Sequence, residues 1–482
     1  MTNITDLEPK LLWKHFNNIC SIPHPSEHEK ELTDYIYTFG KQLSLDTKID
    51  AVGNIIIKKP ATVGFENNKT IILQAHIDMV PQKNSDVQHD FLRDAIKPII
   101  DGEWVKAQNT TLGADNGIGA ASILAILEDR TISHGPIEAL FTIGEEIGMI
   151  GAFGLQPNTL EGSILINTDT EDDEEIIIGC AGGEDANCIF KFKTQNIQTK
   201  GITYTIKISG LLGGHSGVNI HMNRANANIV LCRIVKQLMI RFGAQIASVE
   251  GGNMRNAIPR EAHATIVIPE INQHEFLQFM KIVTLNIQEE FYPIEKDIAI
   301  LATECKDSTV CLLPKDAERI INAILTIPNG VITYEDSADL TVRTSNNLSI
   351  IKTLESSIEV NCLLRSSDDT EKQNLGKAIK DICILFKGEV ELTGSYPGWK
   401  PNYESAFLKK IINPYEAVYN RKAKIKVVHA GLECGIIGNS HPHLDMISIG
   451  PTIQYPHSPD EKVNIASVGR YWQLLKRTLA LK

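Results

Sequence analysis

The sequence predicts an α/β protein whose main domain is interrupted by an inserted α+β segment, and three observations predict it. Short apolar runs at 71–75, 137–143 and 163–167 have the composition of strands buried on both faces and are too short for helices. Helical periodicity surrounds them, at 6–20, after Ser26 and from Gly117 to Leu127. The chain then changes character near Asp185, where strand-like stretches such as Thr203–Ser209 and His263–Pro269 alternate with amphipathic helices such as Ala225–Ile240. The α/β pattern resumes after GSYPGWKP, at about Tyr396. Residues 1–185 and 397–482 are therefore expected to form one domain and 186–396 an insertion. Strand-rich portions before and after about residue 310 suggest a doubled α+β unit, although no clean sequence repeat accompanies it.

With 482 residues, 43% of them hydrophobic, the chain is long enough for two or three packed domains. Lys and Arg total 47 against 59 Asp and Glu, a net charge of −12, so neither nucleic acid nor an anionic membrane has electrostatic support as a partner. A small molecule or peptide is expected instead. The stretch MTNITDLEPKLLWKHF lacks the basic start and apolar core of a signal peptide, and no apolar run approaches a membrane span, which predicts a cytoplasmic protein. Nine cysteines, an odd number without a C-x-x-C pair, fit buried reduced thiols better than a disulfide framework.

In chain order, Ser26 with Glu29 three residues on has capping-box spacing ahead of a helix, and His24 and His28 are expected at the surface. Strands at Thr47–Ile49 and Asn54–Lys58 precede the central run, which stops at His76. Ligands collect outside the carboxyl ends of strands in open α/β sheets, which is where His76 falls. Asp78, two residues on, shares its side and could accept the other ring N–H. A loop-rich segment, 82–108, leads to TLGADNGIGAASILAILEDR, where Asp115 just precedes a helix. Asn116 is an equally good cap, leaving the Asp115 carboxylate available. The run at 137–143 ends in GEEIG, whose neighbouring carboxylates Glu145 and Glu146 repel unless a cation, a shared proton or exposure relieves them.

The run at 163–167 ends in TDTEDDEE with Asp169 on the crevice side, and Glu171–Glu175 reads as a solvated loop able to attract a substrate ammonium. In the insertion, LLGGHSGV sets His215 among glycines, and GGNMRNAIP presents Asn253, Arg255 and Asn256 on a loop. KIKVVHAGLECG ends an apolar run with Glu433, and LDMISIGPTIQYPHSPDE ends another with His457.

His76, Asp115, Glu145, Glu146, Asp169 and His457 thus follow strands or precede a helix on what should be one rim. Two imidazoles and several carboxylates without cysteine suit zinc, cobalt or manganese, and one shared carboxylate can hold two ions together.

The motifs AHIDMVP, LGADNGIG, TIGEEIG, NTDTED, GGHSGV, GGNMRNAIP, HAGLECG and YPHSPDE, in that order, resemble those of the bacterial aminoacyl-histidine (Xaa-His) dipeptidases. These lie within the clan of co-catalytic dizinc exopeptidases and deacylases that includes carboxypeptidase G. The resemblance implies a zinc-peptidase catalytic domain, with a mixed sheet flanked by helices, interrupted by a lid domain built as a doubled ferredoxin-like unit. It implies two divalent ions, Zn²⁺ with Co²⁺ or Mn²⁺ as alternatives. His76 and Asp169 would bind one, Glu146 and His457 the other, and Asp115 would bridge them across a cis Asp115–Asn116 bond. Asp78 would orient His76, and Glu145 would be the general base. His215 would stabilise the oxyanion, while Asn256 and Arg365 would hold the substrate carboxylate.

The expected activity is hydrolysis of dipeptides with a free carboxylate, Xaa-His dipeptides included. An N-acyl amino-acid deacylase is the enzymatic alternative and a non-catalytic peptide- or metal-binding protein the alternative of another class. Glu145, which is not needed to hold metal, argues against the last. The resemblance also implies a homodimer, for which a doubled lid could substitute.

Overall fold

Six consecutive buried residues, Ile71–His76, need a sheet covered on both faces, and they form its inner strand. The computed structural model describes residues 3–197, 200–306, 310–336 and 341–481. One compact unit comprises Met1–Cys180, Trp399–Val427 and Leu432–Lys482, and a second comprises Ala181–Gly398 with Val428–Gly431.

In the first unit we number the sheet strands β1 (Asp46–Ile49), β2 (Ile55–Lys59), β3 (Ile71–His76), β4 (Ile137–Thr142), β5 (Ile164–Asn167), β6 (Glu175–Cys180), β7 (Lys424–Val428) and β8 (Asp445–Ser448). They lie in the order β1-β2-β4-β3-β5-β8-β6-β7. The inner four, β4, β3, β5 and β8, are parallel, whereas β1, β2 and β6 pair antiparallel, so the sheet is mixed. Register sets His76 opposite Thr142 and Gln74 opposite Asn167, so these carboxyl ends are level. The helices are α1 (Lys10–Cys20), α2 (Lys30–Gln42), α3 (Ala114–Glu128), α4 (Ala406–Tyr419), α5 (Glu433–Ser440) and α6 (Ile465–Leu479), with a short helix at Ile150–Gly154. Apolar on every side, α3 is buried along nearly its whole length, while the amphipathic α1 and α6 bury one face each. Trp13, Phe16, Leu73, Ile118, Phe141 and Tyr471 belong to the resulting core.

Several local expectations change. Ser26 does not cap α2: the N-cap is Glu29, and the Ser26 hydroxyl instead donates to Asp78 Oδ2 at 2.8 Å. His28 is exposed as expected, but His24 is buried, with its Nδ1–H on the Ile22 carbonyl. The segment 82–108 contains strands Pro98–Asp101 and Trp104–Ala107, which join Ile453–Gln454 and Lys462–Asn464 in a small sheet. Glu433 opens α5 instead of ending a strand. All nine cysteines are free thiols, and all but Cys305 are buried.

The second unit holds a long antiparallel sheet whose logic is a doubled motif. Gly201–Ser209, Ala227–Phe242, Gln245–Gly251, Ala262–Pro269, Gln273–Phe291 and Ala299–Glu304 run strand-helix-strand-strand-helix-strand. Their strands lie in the spatial order fourth, first, third, second, a ferredoxin-like unit. The other half uses Gly182–Lys191, helix Pro314–Thr326, Thr341–Thr353, Ser357–Ser366, helix Asp369–Leu385 and Glu389–Tyr396, with the same neighbour relations. The halves join where Gly251 pairs with Ile351.

The unit boundaries fall at Cys180/Ala181 and Gly398/Trp399, a few residues from the positions 185 and 396 read from the sequence. The strand from Gly182 pairs on both sides within the second unit, which draws Gly182–Asp185 into it. Val428–Gly431 also belong there, because the Ala181 N–H bonds to the carbonyls of Val428 and Ala430.

Candidate metal centre

At the carboxyl end of β3, the His76 ring faces an acceptor on one side and carboxylates on the other. Its Nδ1 lies 3.1 Å from the carbonyl oxygen of Asp78, so Nδ1 carries the hydrogen. The ring N–H therefore goes to the backbone of Asp78, with the carboxylate farther off at 3.5 Å. The other nitrogen, Nε2, lies 3.1 Å from Asp115 Oδ1 and 3.2 Å from Asp169 Oδ1. His457 Nε2 lies 3.2 Å from Asp115 Oδ2 and 3.0 Å from Glu146 Oε1. Asp115 thus turns one oxygen to each imidazole. The structure brings His76, Asp115, Glu146, Asp169 and His457 together.

Three pieces of local structure hold these side chains. Asp115 lies in a kink at the start of α3, with non-helical backbone at Asp115 and Asn116 and a cis bond between them. The N–H groups of Leu112, Gly113, Ala114 and Asp115 all donate to the carboxylate of Glu461. Asn116 is not the cap: its amide donates to Asp169 Oδ1 and its oxygen accepts from Thr168 Oγ1 at 3.3 Å. The Glu145–Glu146 turn follows β4, where Gly144 has φ +59° and a side chain would meet Ile150. Asp78 Oδ1 accepts the Glu145 N–H at 2.9 Å, Asp78 Oδ2 accepts the Glu146 N–H at 3.2 Å, and Glu29 accepts that of Gly144 at 3.1 Å. His457 is half-exposed, at φ +58°.

The electrostatics call for a cation. A neutral His76 protonated on Nδ1 points its Nε2 lone pair at two carboxylate oxygens, a contact that only a further proton or a metal ion makes favourable. Burial pushes the Glu146 carboxyl up, His457 opposing through its 3.0 Å contact with Oε1 and Asp115 adding to it. Burial likewise pushes Asp169 up, against the charge of His76. Burial lowers His457, but hydrogen bonds and charge from Asp115 and Glu146 outweigh it and push the ring up to about 11. Donor atoms of His76, Asp115 and Glu146 all lie within 4.8 Å of one another. Two imidazoles with three carboxylates and no thiolate suit zinc, cobalt or manganese, so the residues fit a divalent-metal centre. Glu145 stands beside it. Burial raises its carboxyl well above the usual range, His76 opposing and Asp169 and Glu146 adding to it, and among the described residues no hydrogen bond reaches that carboxylate.

In the second unit, His215 Nδ1 accepts the N–H groups of Gly217 (3.2 Å) and Val218 (3.1 Å), which leaves the ring hydrogen on Nε2. The Ser216 N–H donates to the Asn256 carbonyl at 2.8 Å, so His215 and Asn256 are near neighbours, with the Asn256 side chain exposed. Arg365 is buried, 5% exposed, with Nε 3.4 Å from Ser216 Oγ and Nη1 3.3 Å from Tyr396 Oη. It has no carboxylate partner among the described residues. Asp368 caps the following helix and Asp369 pairs with Lys372. Arg255, from the same loop as Asn256, is tied to Asp185 at 2.7 Å.

Sequence reasoning missed Glu461, Gln74, Ser216, Tyr396 and His429, and had Asn116 in another role. His429 is buried against Ser345 Oγ at 2.7 Å, and burial, with Arg365 and then His215, lowers it to about 3.

The model of Peptidase family M20/M25/M40 matches residues 72–481. Over 479 residues, 99% of each chain, the sequence is 43% identical to the cytosol non-specific dipeptidase of Escherichia coli (strain K12). The structure matches that of the aminoacylhistidine dipeptidase from Vibrio alginolyticus with a TM-score of 0.91, at 44% identity over 100% of this chain and 98% of the other. An aminopeptidase from Bacillus cereus shares the fold at a TM-score of 0.57 and 15% identity, over 98% of both chains.

Proposed function

The chain belongs to Peptidase family M20/M25/M40, and from that premise we propose that it is a cytosolic metallodipeptidase acting on dipeptides with a free C-terminal carboxylate, Xaa-His dipeptides included. The observation that carries this reading is Asp115, one oxygen toward His76 and the other toward His457, each imidazole with a second carboxylate beside it. The metallopeptidases of the family bind divalent metals, and this chain has a candidate site for them. The ions are two, zinc by preference and cobalt or manganese as alternatives. His76 and Asp169 would hold one, Glu146 and His457 the other, and Asp115 both. When bound, they supply positive charge that polarises the scissile carbonyl and makes water more acidic.

The chain's own residues do the rest. Glu145 takes a proton from the attacking water and delivers it to the leaving amine. Asp78 fixes the tautomer of His76 through its carbonyl and the Glu145–Glu146 turn through its carboxylate, so one residue orients ligand and base alike. In the second unit, His215 donates from Nε2 to the oxyanion, and Arg365 and Asn256 take the substrate carboxylate. A buried guanidinium without a carboxylate partner supports that last role, since an uncompensated buried charge is costly unless a ligand answers it.

Chelator-stripped protein, resupplied in turn with Zn²⁺, Co²⁺ and Mn²⁺, is offered dipeptides, tripeptides and N-acetyl amino acids. Metal-dependent cleavage of dipeptides alone is the expected result. Release of acetate without peptide cleavage would make the chain an N-acyl amino-acid deacylase, and binding without turnover a non-catalytic protein. The reading places the enzyme in the cytosol, as its Escherichia coli relative is by name. Among the described residues no helix is long and apolar enough to cross a membrane.

A further inference from the structure

Beneath the metal ligands lies a row of buried polar side chains to which the reaction above gives no part. Side chains repeat every two residues along a strand, so Gln74 stands below His76 on β3 and Asn167 below Asp169. Register pairs Gln74 with Asn167 and Asn167 with Ser448. Gln74 Oε1 accepts from Asn167 Nδ2 at 2.6 Å, and Asn167 Oδ1 accepts from the Ser448 hydroxyl and, at 3.2 Å, from the Asp169 N–H. Gln74 Nε2 donates to Thr142 Oγ1 at 3.1 Å. The row ends at Glu433, the first residue of α5, which is wholly buried. Its Oε2 accepts from Gln74 Nε2 at 2.5 Å and from the Thr142 hydroxyl at 2.6 Å, while Oε1, equally buried, has no hydrogen-bond partner among the described residues.

For packing alone this is a poor choice. A buried carboxylate with an unpaired oxygen is destabilising, and glutamine would fill the same space at less cost. Burial chiefly pushes the Glu433 carboxyl up, to about 7. The charges that act on it are His76, which opposes the rise, and Asp169 and Asp78, which add to it, while Glu145 in turn feels Glu433. The electrostatic surroundings of Glu433 are therefore the metal centre.

We propose that Glu433 is a positioning residue of that centre: without ligating an ion, its carboxylate places negative charge behind the His76 and Asp169 donors and raises the affinity for divalent cations. In a low-dielectric interior such an interaction reaches beyond contact distance, and a doubly charged ion gains twice what a single charge gains. The bonds to Gln74 and Thr142 hold the carboxylate below the ends of β3 and β4. The proposal rests on the reading of the site as a divalent-metal centre.

Calorimetric titration with Zn²⁺ and Mn²⁺ of chelator-stripped wild type and Glu433→Gln, together with thermal unfolding of the metal-free proteins, tests it. Glutamine keeps the volume and an acceptor for Gln74 and Thr142 and removes the charge. The expected result is divalent binding weakened at least about tenfold, with the metal-free midpoint unchanged or raised. Affinity within twofold of wild type overturns the proposal, and a lowered midpoint with unchanged affinity assigns Glu433 a merely structural role. Glu433→Asp, which keeps the charge, is expected to bind within threefold of wild type. Should the glutamine variant not fold, a tenfold loss in the aspartate variant overturns the proposal by itself. Wild type that binds no divalent ion would overturn the metal-centre reading instead.

Discussion

At Glu145 the structure separates two neighbouring carboxylates by what surrounds them. Glu146 lies 3.0 Å from His457, whereas no hydrogen bond reaches the Glu145 carboxylate among the described residues. Glu145→Gln should therefore lower kcat by about 10²- to 10⁴-fold, the usual contribution of a general base, with metal content unchanged. Metal analysis of the purified variant checks this, and loss of one equivalent would mean that Glu145 and Glu146 exchange roles. Arg365 invites a test by substrate design. A guanidinium grips a carboxylate with two parallel hydrogen bonds that lysine cannot reproduce. Arg365→Lys and Arg365→Ala should cost about 2–5 kcal/mol in kcat/KM on a dipeptide and far less on its C-terminal amide. Equal losses on acid and amide would remove Arg365 from carboxylate recognition. His76, Asp169 and the Glu145–Glu146 pair were legible in the sequence because an apolar run that stops at a ligand-competent side chain is a local signal. Ser26 was misread for the same reason. Its spacing to Glu29 fits a capping box, but Asp78, 52 residues away, takes its hydroxyl.

The start of α3 shows what local signals omit at the scale of an element. Sequence marks a helix from Gly117 and an acid just ahead of it, yet the helix opens at Ala114 and the group that satisfies its leading N–H groups is Glu461, 347 residues from Ala114. Gln74 and Glu433, 359 residues apart, are invisible for the same reason: no periodicity connects them. Glu461 meets four N–H groups at a helix N-terminus, where a carboxylate is favoured by charge as well as by hydrogen bonding. Glu461→Ala would leave those donors buried and unpaired, and the metal-free protein should lose at least about 3 kcal/mol of unfolding free energy. Glu461→Gln, which keeps two oxygen-to-nitrogen contacts at best, should fall between. Urea unfolding of the three proteins checks the order, and an alanine variant within about 1 kcal/mol of wild type would show that water replaces the cap.

The two units of the molecule were legible to different degrees. In the first, strand runs, helix patterns and chain order gave the α/β sheet directly, because each strand carries its own burial signature. In the second, the change in character near Asp185 and the doubling into two strand-rich portions were visible, but no repeat in the sequence itself was. One ferredoxin-like motif, from Gly201 to Glu304, is inserted between the first strand of the other, Gly182–Lys191, and its first helix, Pro314–Thr326. A motif split in this way has no fixed sequence period. The second unit also carries a pH signature that can be read on the whole chain. Burial, then the charge of Arg365 and of His215, lowers His429 to about 3. An exposed histidine in the unfolded chain titrates near 6.5. Between those values the unfolded state binds a proton that the folded state does not, so stability falls as pH drops below about 6.5 and is unaffected above it. From pH 7 to pH 5 this one group should remove about 2 kcal/mol. Other groups titrate near that window too, Glu433 and Glu461 among them, each pushed up to about 7 chiefly by burial, so the slope of wild type alone is not diagnostic. The informative quantity is the difference from His429→Gln, measured by urea unfolding at matched metal content, because glutamine keeps a polar partner for Ser345 and cannot take up the proton. Wild type should lose close to one proton's worth of stability more than the variant below pH 6.5, and the two should run parallel above it. Parallel profiles throughout would mean that His429 titrates in the fold as it does in the unfolded chain, so that below about pH 6.5 its ring joins Arg365 as a second cation.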